Sequence, residues 1–233
     1  MARKDRKQIF QLQSRSLISM TNPKSPISEQ YRTIRTNIQF STVDEEIRTM
    51  IVTSAGPGEG KSTTTANLAA VFAQQGKRVL LIDADLRKPT VHLTFRSDNH
   101  VGLTNILTRK STLEDAVRLT AQENLFVLSS GPIPPNPSEL LGSKGMMAFI
   151  EEAKETYDII ILDTPPVLAV TDAQVLSNLV DGVVLVVSSG KTEIDSAKKA
   201  KELLDNAKAK ILGSVLNNKK QDESAQYYYY GGK

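Results

Sequence analysis

The stretch Ser54-Ala-Gly-Pro-Gly-Glu-Gly-Lys-Ser-Thr63 decides the fold. An apolar run over residues 48–54, typical of a buried strand, leads into it, and a helical pattern over residues 62–75 follows it. Its three alternating glycines let the backbone N–H groups curl towards an anion without clashes from Cβ atoms. The stretch therefore fits a phosphate-binding loop (P-loop) whose first glycine is replaced by Ala55.

The residue types of this loop predict nucleotide binding. Lys61 can reach the β- and γ-phosphates, and the hydroxyl of Ser62 can ligate Mg²⁺. The N-terminus of the following helix adds a field that favours anions. A Gly-rich turn without a ligand is the simpler alternative, but Gly-Lys-Ser between a strand and a helix favours the nucleotide site. The predicted nucleotide-binding residues of the loop are Gly56, Pro57, Gly58, Glu59, Gly60, Lys61, Ser62 and Thr63.

Short apolar runs alternate with helical patterns along the rest of the chain. Besides the first run, strands are predicted over residues 78–83, 125–129, 158–163, 182–187 and 210–216. Near-continuous Val/Ile/Leu strands separated by helices are typical of a parallel sheet covered on both faces. We therefore predict an α/β fold with a doubly wound, mainly parallel sheet, which binds its ligand beyond the carboxyl ends of the strands.

Three carboxylates follow predicted strands and suit a metal-nucleotide site. Asp83 and Asp85 end one apolar run, and Asp163 ends another. A strand-end Asp beside a P-loop typically holds Mg²⁺, directly or through water. Three carboxylates exceed what one metal requires, so one of them is free to act as a general base. For each Asp alone, a turn or a helix cap is the alternative.

Composition and charge exclude several classes of protein. The 233 residues include 29 Lys and Arg against 26 Asp and Glu, a net charge of +3 that is small for a dedicated nucleic-acid-binding protein. We therefore expect no direct nucleic-acid partner. Cysteine is absent, which excludes disulfides and thiolate-ligated metals. No stretch is typical of a secretory signal or a membrane span, so we expect a cytoplasmic protein.

The chain is predicted to have three parts. Residues 1–25 are a polar, partly disordered arm, and residues 26–216 form the P-loop domain, which begins with a helix. Residues 217–233 are a mobile tail that contains four of the six tyrosines, Tyr227, Tyr228, Tyr229 and Tyr230. A sticky tail or a short edge strand is one interpretation of this cluster. Next to a P-loop, we favour a phospho-acceptor segment.

These motifs together resemble the bacterial tyrosine kinases (BY-kinases) of capsule and exopolysaccharide operons. The resemblance covers about residues 25–233 and includes the strand ends 80–89 and 159–166 as well as the tyrosine cluster. It implies a P-loop NTPase of the deviant-Walker type, in which the P-loop and these two strand ends are the Walker A, A′ and B motifs. It also implies a protein-tyrosine autokinase that uses ATP and Mg²⁺.

The resemblance assigns roles to the charged residues. Lys61, Asp83 and Asp85 are the implied catalytic residues, with Asp83 as the base for the tyrosine hydroxyl. Ser62, Asp85 and Asp163 are the implied metal-site residues, and Asn217 is a candidate for contact with adenine. Arg87 and Lys88 fall in the basic stretch that follows Walker A′ in this family.

The segment Glu29-Gln-Tyr-Arg-Thr-Ile-Arg35 resembles the family's oligomerisation helix. Glu29, Arg32 and Arg35 lie along one side of a predicted helix, where they can pair with a neighbouring copy in a ring. An ordinary solvated face with a local Glu29–Arg32 pair is the alternative that the spacing itself allows.

The resemblance is to the split form of the family, and it implies several partners. A separate transmembrane activator would recruit this cytoplasmic kinase to the inner face of the membrane. A protein-tyrosine phosphatase and protein substrates such as sugar-nucleotide enzymes are the other implied partners. With a ring-forming kinase we expect phosphorylation of the tail in trans.

Two other functions are compatible with the same fold. One is a partitioning or positioning ATPase of the deviant-Walker type, but its signature lysine is replaced here by Gly56. The other is a nucleotide-dependent scaffold of the polysaccharide export machinery. The intact set of Lys61 and three carboxylates disfavours an inert scaffold, and the tyrosine cluster disfavours both alternatives.

Overall fold

The computed structural model describes residues 17–41 and 46–220. It contains helices and strands in alternation, with their bounds as follows: α1 (Ile18–Thr21), α2 (Pro26–Gln39), β1 (Thr49–Ser54), α3 (Lys61–Ala73), β2 (Val79–Asp83), α4 (Val91–Phe95), α5 (Leu103–Leu107), α6 (Leu113–Ala116), β3 (Arg118–Leu119), β4 (Leu125–Leu128), α7 (Pro137–Leu141), α8 (Lys144–Thr156), β5 (Ile159–Asp163), α9 (Asp172–Ser177), β6 (Gly182–Ser188), α10 (Ile194–Asn206) and β7 (Ile211–Asn217).

Seven strands form one sheet in the order β3-β4-β2-β5-β1-β6-β7. Every pair is parallel except β3 with β4, so the predicted mainly parallel α/β sheet is confirmed. Strand β5 lies between β2 and β1, with Asp83 and Val52 as the register neighbours of Asp163. The register therefore places two of the predicted carboxylates side by side at the carboxyl edge.

The central strands are buried on both faces, which explains their continuous apolar sequences. Successive side chains point to opposite faces, so each strand contributes to two cores. Ile51 and Ile82 belong to the core beneath helices α5 to α10, and Val52 and Leu81 belong to the core beneath α2 and α3. The sheet is thus covered by helices on both faces, as doubly wound folds require.

The sequence over residues 113–118 has a helical pattern, but the helix ends at Ala116. Arg118 and Leu119 instead form β3, which pairs antiparallel with β4 at the edge of the sheet. The Pro-rich segment over residues 131–136 leads into helix α7, with Pro137 in its first turn. Proline is favoured there because the N–H groups of the first turn have no acceptor within the helix, so the N–H that proline lacks is not missed.

Residues 17–25, which the sequence places in the arm, pack against the domain. The backbone N–H of Ser19, in α1, donates to Oδ1 of Asn67 in α3 at 2.9 Å, and the side chain of Leu17 is buried. Ser25 caps α2, because its Oγ accepts the N–H of Ser28 at 3.1 Å. The division into arm, domain and tail stays a prediction, since residues 1–16 and 221–233 lie outside the described residues.

Within the described ranges, every helix is too short or too polar to cross a membrane.

Candidate active site

The P-loop connects β1 to α3, as the sequence predicts, and its backbone needs glycine at two positions. Gly58 and Gly60 have φ angles of 72° and 89°, a region that side chains with a Cβ atom rarely adopt. A Cβ atom on Gly60 would also lie 1.9 Å from Nδ2 of Asn217. The loop therefore depends on these glycines both for its conformation and for its packing.

Glu59 folds back into the loop. Its carboxylate is buried and accepts the N–H groups of Ala55 and Gly56, both at 3.1 Å. Gly56 is one of the predicted nucleotide-binding residues, and its N–H group is thus held by a side chain of the loop itself. The glycine pattern could not show this contact, because it depends on the side-chain conformation of Glu59.

Lys61 lies at the centre of a compact charged cluster. Its Nζ atom is 2.9 Å from Oδ1 of Asp163, 3.8 Å from Oδ2 of Asp85 and 3.2 Å from Oγ of Ser62. The Lys61 and Asp85 side chains are about nine-tenths buried, and that of Asp163 is fully buried. The structure therefore brings together the lysine, the hydroxyl and two of the carboxylates that the sequence singles out.

Asp83 adjoins this cluster but is held by backbone groups. Its Oδ2 atom accepts the N–H groups of Thr90 and Val91, both at 2.8 Å, and its Oδ1 atom accepts that of Asp85 at 3.3 Å. Burial, reinforced by the charge of Asp163, raises the pKa of Asp83 to about 7, although these hydrogen bonds and Lys61 oppose the rise. A carboxyl group with a pKa near neutrality can accept a proton at physiological pH.

Asp85 is the more accessible of the two carboxylates at the end of β2. Its residue is 7% exposed, whereas Asp83 is not exposed at all. Burial raises the pKa of Asp85 above its ordinary value, and the positive charge of Lys61 opposes this shift. Oδ1 of Asp85 accepts the N–H of Lys88 at 3.0 Å, which fixes the turn after the strand.

The donor set fits a magnesium ion held together with a nucleotide. Oδ2 of Asp163 is buried and has no hydrogen-bond partner in the part of the chain that the structure describes, so it is a candidate ligand for a cation. Among the described residues, no group of three or more His, Asp or Glu side chains forms a ready metal cage. Mg²⁺ at nucleotide sites typically needs only one or two carboxylates, because phosphates and waters complete its shell. Ser62, Asp85 and Asp163 can supply the protein oxygens.

Two side chains from the ends of β6 and β7 contact the outer side of the loop. Nδ2 of Asn217 donates to the carbonyl oxygen of Glu59 at 2.9 Å. Nζ of Lys191 donates to the carbonyl oxygens of Pro57 and Gly58, at 2.8 and 2.9 Å. The sequence singles out Asn217 for adenine, whereas here its amide holds the loop. Lys191 was missed, although it lies three residues after a strand that ends at the carboxyl edge.

Arg87, in the predicted basic stretch, forms a two-point ion pair across the site. Its Nε and Nη2 atoms donate to the two carboxylate oxygens of Asp172, at 2.9 and 3.1 Å. Ser138 Oγ donates to the same carboxylate, whose side chain is fully buried. The ion pair thus joins the loop after β2 to helices α7 and α9, while the neighbouring Lys88 is exposed.

Replacing Arg87 with methionine is expected to lower the free energy of unfolding by about 1–3 kcal/mol, because the buried carboxylate of Asp172 would lose its charged partner. Urea unfolding followed by circular dichroism measures the change. Lys88→Met is the matched control and should stay within about 0.5 kcal/mol of the parent protein. Equal stabilities of the two variants would show that the ion pair contributes nothing.

The three residues of the predicted oligomerisation face do not point the same way. Arg32 pairs with Glu29 within α2 and donates to the carbonyl oxygen of Pro23 at 2.6 Å. Arg35 turns inward, and its Nη1 donates to the carbonyl oxygen of Val71 in α3 at 2.8 Å. Glu29 and Arg32 therefore remain candidates for contact with another copy, whereas Arg35 joins α2 to the P-loop helix. The tyrosine cluster lies outside the described residues.

Comparison with known proteins places the chain among nucleotide-binding proteins. Residues 47–213 match the family described as AAA domain. Tyrosine-protein kinase YwqD of Bacillus subtilis is 62% identical over 206 residues, which cover 88% of this chain and 87% of that protein. The crystal structure of the chimerical protein CapA2B2 is 47% identical and covers 88% of this chain and 91% of its own, with a TM-score of 0.86.

A solved structure with lower sequence identity shows that the fold also occurs in another class of protein. The septum site-determining protein MinD of Pyrococcus horikoshii, complexed with Mg-ADP, is 26% identical and has a TM-score of 0.63. It covers 78% of this chain and 76% of its own. The fold is therefore that of the deviant-Walker P-loop proteins, and this fold implies nucleotide binding.

Proposed function

Because the chain belongs to the bacterial tyrosine kinases (BY-kinases), in their split form, we propose that it transfers the γ-phosphoryl group of ATP to its own clustered tyrosines. It is a tyrosine-protein kinase of capsule and exopolysaccharide synthesis. The proposal adds the nucleotide, the metal, the acceptor and the residues that carry the reaction.

One observation supports this assignment above the others. The buried side chain of Lys61 lies within ion-pair distance of the carboxylates of Asp85 and Asp163, and a third carboxylate, Asp83, is the register neighbour of Asp163. A metal ion and a proton acceptor require different carboxylates, and this edge of the sheet offers both. An inert nucleotide-binding scaffold would need no third carboxylate with a pKa near neutrality.

The chain's own residues act mainly by position and charge. Lys61 would leave its contact with Asp163 to bind the β- and γ-phosphates, and it would offset the charge that develops on the transferred group. Mg²⁺, held by Ser62, Asp85 and Asp163, would supply further charge neutralisation on the phosphate oxygens. Asp83 would orient the tyrosine hydroxyl and accept its proton.

The proposed phospho-acceptor segment begins next to the P-loop. The last strand ends at Asn217, whose side chain contacts the carbonyl of Glu59. Thirteen residues separate Asn217 from Tyr230, a span of about 43–47 Å when extended. That reach allows the tail to enter its own site as well as that of a neighbour, so distance does not decide between the two routes.

The purified protein is expected to gain phosphate on Tyr227, Tyr228, Tyr229 and Tyr230 after incubation with ATP and Mg²⁺. Peptide mass spectrometry before and after phosphatase treatment measures the gain. A sample with ADP and Mg²⁺ is the control. ATP hydrolysis without any phosphotyrosine would contradict the proposal and would favour a deviant-Walker ATPase.

Tail phosphorylation is expected to occur in trans. A Lys61→Met copy with an intact tail, mixed with an active copy that lacks residues 225–233, should become labelled by radioactive ATP. Only the inactive copy carries the acceptor tyrosines, so any label on it comes from its neighbour. Each copy alone is the control, and an unlabelled tail in the mixture would rule out the trans route.

The partners follow from the same family membership. We propose a ring of identical chains to which Glu29 and Arg32 of α2 contribute, and a separate transmembrane activator that recruits the kinase to the inner face of the membrane. A protein-tyrosine phosphatase would reverse the reaction, and sugar-nucleotide enzymes are the proposed further substrates.

A further inference from the structure

Three consecutive carbonyl groups of the P-loop are bound from outside by two side chains. Lys191 Nζ donates to the carbonyls of Pro57 and Gly58, and Asn217 Nδ2 donates to that of Glu59. The approach is close at both points, since a Cβ atom would lie 2.7 Å from Nζ of Lys191 on Gly58 and 1.9 Å from Nδ2 of Asn217 on Gly60. We call Lys191 and Asn217 the outer clamp.

The outer clamp fixes the direction of the N–H groups that follow these carbonyls. The peptide bonds of the described residues include no cis bond, and in a trans peptide the C=O and N–H groups point in opposite directions. Carbonyls held outward therefore turn the N–H groups of Gly58, Glu59 and Gly60 inward. These three N–H groups have no acceptor among the described residues, which leaves them available to phosphate oxygens.

Lys191 is exposed, but hydrogen bonds hold the backbone of the turn that carries it. The N–H groups of Lys191 and Thr192 both donate to the carbonyl of Ser188, and Oγ1 of Thr192 accepts the N–H of Ser188 at 2.8 Å. Ser188 ends β6 and also binds Nδ2 of Asn218, just after β7. The turn that carries Lys191 is thus anchored to the sheet, and no carboxylate of the described residues pairs with its ammonium group.

We infer that Lys191 is a positioning residue for phosphate binding, which holds the P-loop in the conformation that presents its N–H groups to the nucleotide. The inference rests on the proposed nucleotide site but does not require that the acceptor be tyrosine. Lys191 acts on the outer, carbonyl side of the loop, whereas Lys61 acts on the phosphate side. Its ammonium group therefore fixes the orientation of the P-loop N–H groups and does not contact the transferred phosphoryl group.

Calorimetric titration with ADP and Mg²⁺ tests this role in the full chain. Lys191→Met is expected to weaken ADP binding about tenfold, because two hydrogen bonds from a charged donor are lost. Lys191→Arg, which keeps a charged donor, should restore affinity to within about threefold. In the kinase assay the KM for ATP of Lys191→Met should rise in proportion, while kcat at saturating ATP stays within about twofold.

Lys198→Met is the matched control, since Lys198 is an exposed lysine on the following helix that pairs only weakly with Asp195, at 3.9 Å. Unchanged ADP affinity in Lys191→Met would overturn the inference. So would equal losses of affinity, kcat and thermal stability that arginine does not restore, because these would indicate a general structural role. Failure of the kinase proposal is distinguishable, since the parent protein would then bind ADP without forming phosphotyrosine.

Discussion

Replacing Asp83 with asparagine is expected to lower tyrosine phosphorylation by about 100-fold or more, while ADP affinity stays within about threefold. Loss of a general base typically costs two to four orders of magnitude in rate. Asparagine can still accept the N–H groups of Thr90 and Val91 through its Oδ1 atom, so the local backbone should be retained. Single-turnover labelling with radioactive ATP and calorimetry with ADP measure the two quantities.

A second carboxylate in the chain offers a close control for this substitution. Oδ2 of Asp181 accepts two successive N–H groups, those of Arg48 and Thr49, at 2.9 and 2.8 Å. It precedes β6 and therefore lies at the amino edge of the sheet, opposite the P-loop. Asp181→Asn should keep its kinase activity. Undiminished labelling in Asp83→Asn would remove Asp83 from the base role, and a matching fall in ADP affinity would indicate a structural role instead.

Replacing Lys61 with methionine is expected to abolish measurable kinase activity and to weaken ADP binding by about 10- to 100-fold. Charge-assisted hydrogen bonds to an anion contribute about 1.5–3 kcal/mol each, and this lysine would also balance charge in the transition state. Among the side chains of residues 17–41 and 46–220, the substitution leaves the buried carboxylate of Asp163 with one hydrogen-bond donor, the hydroxyl of Thr65 at 3.2 Å. Some loss of stability should therefore accompany it. Calorimetry, tail labelling and thermal melting measure these effects.

Lys77→Met is the appropriate control, because Lys77 is also paired with a carboxylate but at the surface. Its Nζ atom lies 3.5 Å from Oε1 of Glu46, and surface pairs of this kind contribute little. The control should match the parent protein in affinity and activity. Unchanged ADP affinity in Lys61→Met would contradict the phosphate contact assigned to this residue.

The sequence predicted the centre of the site because parallel strands end at one edge of their sheet. Asp83 and Asp163 follow separate apolar runs, and that topology alone brings them to adjacent register positions. The strand–loop–helix arrangement around Lys61 could also be predicted, since glycine spacing and apolar runs are local features of the sequence. Motifs at strand ends thus predicted this part of the site, and the structure supplied its distances.

Contacts that depend on tertiary packing could not be predicted in this way. Glu29, Arg32 and Arg35 are spaced by three residues, but an α-helix turns every 3.6 residues, so each step rotates the side chain by about 60°. After two steps Arg35 faces α3 and not the surface shared by the other two. Lys191 was missed for a related reason, because its contact with the loop depends on the turn after β6.

The short strand β3 shows another limit. Its two residues are exposed and have no strand pattern of their own, and they are extended only because β4 lies beside them. Antiparallel pairing with β4, seven to nine residues further along the chain, therefore overrode the local helical pattern in this segment.

The nucleotide site is built on an element that cannot open by itself. Of the 13 residues of α3, 11 are buried, because the sheet covers one side of this helix and α1 and α2 cover the other. Fraying at this helix would expose much of one core, so its amide protons should exchange with solvent only when the whole domain unfolds. We therefore expect the helix that follows the P-loop to be among the slowest-exchanging parts of the protein.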